Sequence, residues 1–141
     1  MERYNSMENN ECLFCRVQDK NHKKEIIFEN KFFFVTRDSY PVTKFHTLVI
    51  SKRHVASYFD LTIDEVNELQ EILIQQRNEI TTLDSAVSAF NIGINDGKDA
   101  GQTIRHLHVH LIPRRYGDMQ NPQGGVRGVI PGKQKYNRKN N

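Results

Sequence analysis

The segment Arg105-His106-Leu107-His108-Val109-His110-Leu111-Ile112 alternates histidine with aliphatic residues. A period of two marks a half-buried β-strand and is incompatible with an amphipathic helix. With a rise of about 3.3 Å per residue, His106, His108 and His110 share one face roughly 6.5–7 Å apart, and Leu107, Val109 and Leu111 turn to a core. Three imidazoles are therefore expected to line one groove. Imidazole titrates near neutrality, so such a row supplies a nucleophile, a proton donor and a cation for phosphate oxygens at one working pH. Any one of these histidines alone reads better as a structural, hydrogen-bonded residue. Histidines at i, i+2 and i+4 also offer a zinc triad of the kind found in some hydrolytic metalloenzymes, so phosphoryl and metal chemistry both stay open.

The loop before the ladder, Ala100-Gly101-Gln102-Thr103, provides a glycine hinge, an amide, a hydroxyl and backbone N–H groups. Such groups surround oxyanions, although glycine and threonine ahead of a strand also make ordinary turns.

A length of 141 residues suits one compact domain. Residues 1–11 are polar and read as a flexible N-terminus, residues 12–136 as the domain, and residues 137–141 as a flexible C-terminus. Glu25–Glu29 and Phe32–Thr36 read as short strands joined by a tight turn at Asn30-Lys31. Pro41 marks a loop, and His46–Ile50 resumes a β-branched pattern. Thr62-Ile63-Asp64-Glu65 has the form of a capping box, followed by Val66, Leu69, Ile72, Leu73, Ile80 and Leu83 at helical spacing. Ala89–Asn95 and His106–Pro113 read as two further strands. Short turns between the early strands and one interrupting helix imply a mixed domain with a mostly antiparallel sheet.

No apolar run approaches a membrane span, and the N-terminus lacks the apolar core of a secretion signal, so a cytoplasmic location is expected and no membrane partner. Formal charge is only +3, yet Arg114, Arg115, Arg127, Lys133, Lys135, Arg138 and Lys139 crowd the C-terminal part. A solvated tail explains that cluster better than a nucleic-acid surface, since no aromatic-interleaved basic motif accompanies it. Cys12 and Cys15, the only two cysteines, are spaced for metal or redox chemistry and do not make a disulfide framework.

Residues 106–112 resemble the signature of the histidine triad (HIT) family, in which three histidines alternate with apolar residues. The segments LFCRV at 13–17, EIIFEN at 25–30, HTLVISKRHV at 46–55 and AGQTIRHLHVHLIPR at 100–114 extend the likeness over most of Cys12 to Arg114. The resemblance implies a HIT-like α+β fold: a mostly antiparallel five-stranded sheet with one long helix and a short N-terminal helix. It implies hydrolysis or transfer at a nucleotide α-phosphate, on substrates such as dinucleoside polyphosphates or nucleoside phosphoramidates. A covalent intermediate would form on His108, and no metal is needed for that chemistry. By the same likeness His110 and His46 contact the phosphate, Asn95, Gln102 and Thr103 surround the phosphates and leaving group, and Asp38 binds the ribose hydroxyls. Leu13, Phe14 and Phe28 match the base slot. Cys12, Cys15, His54 and His106 resemble the ligands of a structural zinc found in part of the family, and a homodimer through the long helix and a neighbouring strand is expected.

Phe45 stands where many relatives have glycine, and Ser51 where many have proline. The tail from Asn121 to Pro131 departs from the best-known branches, in some of which this region helps choose the leaving group; Arg127 and Lys133 there could reach a distal phosphate, although surface solubility suits each better. A nucleotide-binding module with little turnover, and a zinc-dependent hydrolase using the ladder as its metal site, remain alternatives.

Overall fold

The computed structural model describes residues 12–19 and 25–138; the expectations for residues 1–11 and 139–141 lie outside them. Five strands, β1 (Phe28–Glu29), β2 (Phe33–Arg37), β3 (Thr47–Ser51), β4 (Val87–Gly93) and β5 (His108–Arg115), form an antiparallel sheet of order β1-β2-β3-β5-β4. A short helix, α1 (Leu13–Val17), precedes the sheet, and a long one, α2 (Ile63–Leu83), separates β3 from β4. This is the expected α+β architecture.

The first hairpin forms as expected, but its leading strand is shorter than the apolar run, with pairing confined to Phe28 and Glu29. Asn30 makes the turn: its Oδ1 accepts from the N–H groups of Phe32 at 3.2 Å and Phe33 at 2.9 Å. The capping box at the start of α2 is present. Thr62 Oγ1 accepts from the Glu65 N–H at 3.2 Å, and Glu65 Oε1 accepts from the Thr62 N–H at 2.9 Å. The Glu65 carboxylate is buried and also paired with Arg53 at 2.8 Å, which together with the cap holds it below the usual carboxylate range.

Strand periodicity sorts the core into two layers. Val35, Val49 and Val109 are in register on the face covered by α2, where they pack with Phe33, Leu69 and Ile72. Phe34, Ile50 and His108 form one rung of the opposite face, and Thr36, Leu48 and His110 the next. There Phe34, Leu48 and Ile50 pack against Cys12, Phe14 and Val17. A helix as short as α1 is not stable alone; its two buried apolar side chains, each contributing about 1.5–3 kcal/mol on burial, dock it beside the histidines.

The ladder strand starts at His108, two residues later than expected. The Leu107 carbonyl still accepts from the Ser51 N–H at 3.3 Å, but the Leu107 N–H donates to the carbonyl of Val55 at 2.7 Å, so the ladder with β3 ends at that residue. Leu107, Val109 and Leu111 are nevertheless each 1% exposed, as the alternation requires.

Candidate active site and metal centre

His108 and His110 project from β5 on the face away from α2, their ring centroids 5.4 Å apart. His46 joins them from the turn leading into β3, its Nε2 standing 2.9 Å from His110 Nδ1. Hydrogen bonds determine which nitrogens carry protons. The Val42 N–H donates to His46 Nδ1 at 3.0 Å, so a neutral His46 is protonated at Nε2 and donates to His110 Nδ1. His110 is then protonated at its outward Nε2. The Nδ1–H of His108 donates to the carbonyl of His106 at 2.8 Å, which leaves the His108 Nε2 lone pair unprotonated. One ring is thus arranged as a nucleophile and its neighbour as a proton donor.

Burial pushes the pKa values of all three rings down. For His108 the His106 carbonyl partly opposes this, and for His46 the charge of Asp38 does. His110 falls to about 4 because burial is joined by repulsion from His108 and His46. The trio is therefore neutral at pH 7.

The expectation of three imidazoles in one groove is corrected: His106 is turned away and fully buried. Its Nε2–H donates to the Ser51 carbonyl at 2.6 Å, which directs the Nδ1 lone pair at Cys12 Sγ, 3.3 Å away, and Cys15 Sγ, 3.5 Å away. His54 Nδ1 lies 3.2 Å from Cys15 Sγ and 3.2 Å from His106 Nδ1. Because His106 leaves the row, its three histidines do not converge on one ion, and the ladder is not a zinc triad. Cys12, Cys15, His54 and His106 instead place one donor atom each within 4.8 Å of the others. Zinc at about 2.3 Å from sulfur and about 2.0–2.1 Å from nitrogen in a tetrahedron separates nitrogens by about 3.3 Å and nitrogen from sulfur by about 3.6 Å. The observed distances fit those edges. Burial and the adjacent Cys12 push the Cys15 thiol up to about 12, so a cation is what would turn it into a thiolate ligand.

Asp38 reaches the same cluster. Its Oδ1 accepts from the Tyr40 N–H at 2.8 Å, as a turn residue does, while Oδ2 lies 3.5 Å from His46 Nε2. Asn95 lines a groove together with His46 and His110, and Thr103 is exposed on its loop. Gln102 departs from expectation. Its Oε1 accepts from the Gly97 N–H at 2.8 Å and its Nε2 donates to the Ala56 carbonyl at 2.9 Å, so both ends of the buried amide hold the loop in place.

The base slot also needs correction. Phe28 pairs with Val35 and packs into the α2 layer, on the opposite side of the sheet from His108 and His110. Phe14 is buried, with its ring centroid 4.9 Å from that of His108; it backs the imidazole and offers no open face for a base. Leu13 is exposed at 46%. Thr36 and Leu48 share the His110 rung but, like Phe14, are buried and back the histidine face from within the core.

Residues 117–136 fold back beside the site, with a short helical turn at Gly125–Val129. Arg127 donates from Nε to the Lys133 carbonyl at 3.1 Å and lies over the Tyr136 ring at 4.7 Å, and so braces this segment. Arg138 donates to the Tyr136 hydroxyl at 3.0 Å, so contacts continue past residue 136.

Comparison with known proteins gives a consistent picture. The HIT domain family matches residues 19–117. A 16.1 kDa HIT-like protein of Mycoplasma pneumoniae is 34% identical over 109 residues, 77% of this chain and 75% of that one. The asymmetrical bis(5'-nucleosyl)-tetraphosphatase of Schizosaccharomyces pombe is 46% identical over 78 residues, 55% of this chain but only 42% of that protein. Among solved structures, a zinc-bound histidine triad protein from Mycobacterium smegmatis superposes with a TM-score of 0.72 at 32% identity, covering 81% of this chain and 82% of that one.

Proposed function

Since this chain belongs to the HIT domain family, we propose that it is a nucleotide hydrolase acting at an α-phosphate through a nucleotidyl-histidine intermediate on His108. The observation that carries this reading is the 2.8 Å bond from His108 Nδ1 to the His106 carbonyl, which aims an unprotonated Nε2 into the site beside the Nε2–H of His110. The lone pair of His108 Nε2 forms a bond to phosphorus as the bond from phosphorus to the leaving group breaks. The departing electron pair goes to the leaving atom, which the His110 proton stabilises. Water then attacks phosphorus and releases its proton to solvent as the N–P bond breaks and its electron pair returns to Nε2. Asp38 and the exposed Leu13 supply the nucleoside side of the site, with Asn95 and Thr103 near the phosphates. Dinucleoside polyphosphates are the favoured substrate class, in line with the activity named for the fission yeast relative.

Rapid-quench labelling with an α-³²P-labelled dinucleoside polyphosphate tests this. Acid-labile label on the wild-type protein is expected, with label lost in His108→Ala and turnover reduced on the order of 10⁴-fold. A variant that keeps its label would move the nucleophile elsewhere, and one that keeps ligand affinity when the wild type shows no turnover would mark a binding module.

The sulfur and imidazole cluster is assigned as a zinc site held by Cys12, Cys15, His54 and His106. A closed set of four protein ligands leaves no position for a reacting water, so its role is structural. It ties α1 to the residue whose carbonyl orients His108. A homodimer fits the open edge of β4 in the strand order together with the exposed Ile92, Ile74 and Leu83. No described helix is long and apolar enough to cross a membrane, and a cytoplasmic site suits a cysteine pair that holds a metal and forms no disulfide.

A further inference from the structure

Arg37 ends β2 directly opposite Thr47, the first residue of β3. Counting by two from the paired Val35 and Val49 puts both side chains on the α2 face of the sheet, away from the histidines. There Arg37 Nη1 donates to Thr47 Oγ1 at 2.7 Å and to Gln76 Oε1 of α2 at 2.9 Å, and Nη2 donates to Glu79 at 3.3 Å. The guanidinium carbon lies 5.6 Å from the centroid of the Phe45 ring. We propose that Arg37 is a positioning residue for His46: through the Thr47 hydroxyl and the Phe45 ring it holds the left-handed backbone of Phe45 and so aims the His46 imidazole at His110. Its effect on rate rests on the reading that His46 sets the proton on His110 for nucleotidyl transfer.

A threonine hydroxyl carries one hydrogen, and a guanidinium only donates. Because Arg37 donates to Thr47 Oγ1, the hydroxyl hydrogen is left for another acceptor, the Phe45 carbonyl at 2.7 Å. At the other end of that peptide unit, the His46 N–H donates to the Thr43 carbonyl at 3.0 Å. Both ends of the Phe45–His46 peptide are therefore pinned. A bulky L residue keeps a φ of 72° only where its surroundings impose it. Releasing one end of the peptide lets Phe45 relax, and the Cα–Cβ bond of His46 turns with the peptide plane. Thr47 and Gln76 are both fully buried, so these contacts are shielded from competing water.

The rest of the turn is fastened to β5 instead. Thr43 Oγ1 donates to the Pro113 carbonyl at 2.6 Å, and Arg115 donates to the Lys44 carbonyl at 3.0 Å. Those bonds set where the turn lies against the strand that carries His110, whereas Arg37 sets the orientation of its last peptide. The geometry calls for a guanidinium. Gln76 Nε2 donates to Gln75 Oε1 at 2.7 Å, which commits the Gln76 oxygen to Arg37. A lysine is a point charge on a flexible stem and cannot span Thr47, Gln76 and Glu79 while lying along the Phe45 ring. Standing on the α2 face, Arg37 does not reach a substrate held by His108 and His110; its influence passes through the backbone.

The test reads ring protonation and rate together on the full chain. Long-range ¹⁵N–¹H correlation spectra report the tautomer of each histidine, and the wild type is expected to show His46 and His110 both protonated at Nε2. Arg37→Met is expected to give signals of mixed tautomers for these two rings. With diadenosine tetraphosphate it is expected to lower kcat about tenfold while KM changes by less than about twofold, and Arg37→Lys is expected to recover part of that loss. Thr47→Val, which keeps the shape and removes the hydroxyl, should reproduce both effects, and the Arg37→Met/Thr47→Val double variant should lose no more than either single one. Wild-type ring signals in a folded Arg37→Met protein would overturn the proposal whatever kcat does, and so would losses in the two variants that multiply. If Arg37→Met melts too early to study, Thr47→Val carries the same two measurements with the same outcomes. A wild type without turnover would defeat the hydrolase reading, and the ring signals alone would then decide whether Arg37 aims His46.

Discussion

His46 Nε2 and His110 Nδ1 meet at 2.9 Å although 64 residues separate them in the chain. The Val42 N–H fixes the proton on His46, and His46 in turn fixes the proton on His110. His46 thus acts on the reaction largely through its neighbour. Replacing it with alanine is expected to lower kcat by about 10- to 100-fold with a smaller change in KM, and His46→Gln, whose amide can still donate, is expected to recover part of the loss. Equal loss of kcat in both variants would show that the bond to His110 is not what matters.

Acid sensitivity follows from the neutral imidazoles. His110 titrates at about 4 in the folded protein, against 6.5 for the unperturbed ring. The unfolded chain therefore binds a proton that the native state refuses, and stability present above pH 6.5 is lost as pH falls from there toward 4. Denaturant titrations at pH 7 and pH 5 are expected to show a smaller acid loss in His110→Asn than in the wild type. The acid limb of the rate profile should likewise lie below pH 6.5, because burial keeps His108 unprotonated there.

Removing the metal should cost stability before it costs chemistry. Cys12→Ser or Cys15→Ser is expected to abolish stoichiometric zinc in elemental analysis and to lower stability by about 3 kcal/mol, roughly 10 °C in melting temperature. Chelation of the wild type should have the same thermal effect. Zinc bound at full stoichiometry in Cys12→Ser would place the ion elsewhere, for which Asp38, His46 and His110 form the other donor group among the described residues.

Phe45 holds φ at 72°, the left-handed region, directly before His46. Its ring packs beside Ile80, Val87 and Leu111, and its carbonyl accepts from Thr47 Oγ1 at 2.7 Å. Strain at such a residue costs about 1–3 kcal/mol, and losing the ring costs about as much. Phe45→Gly is therefore expected to lose only about 1 kcal/mol once the added freedom of glycine in the unfolded chain is included. A loss above about 3 kcal/mol in chemical denaturation would show that the strain is smaller than the angle implies.

By itself the sequence determined the local periodicities: α2 with its capping box, the alternation that buries Leu107, Val109 and Leu111, and the spacing of Cys12 with Cys15. These depend on residues within a few positions of each other, so they survive any choice of topology. Likeness to the HIT family added His46, Asp38, His54 and the separate task of His106, and the structure brings each to the expected neighbourhood. Register decided the rest. A period of two sends Phe28 to the α2 layer and leaves Thr36 and Leu48 on the histidine face, because a one-residue step exchanges the two faces. Tertiary packing likewise engaged the Gln102 amide with Gly97 in its loop and with Ala56 after β3, and folded residues 117–136 back beside the site. Those outcomes depend on partners tens of residues away, which no local pattern of the chain specifies.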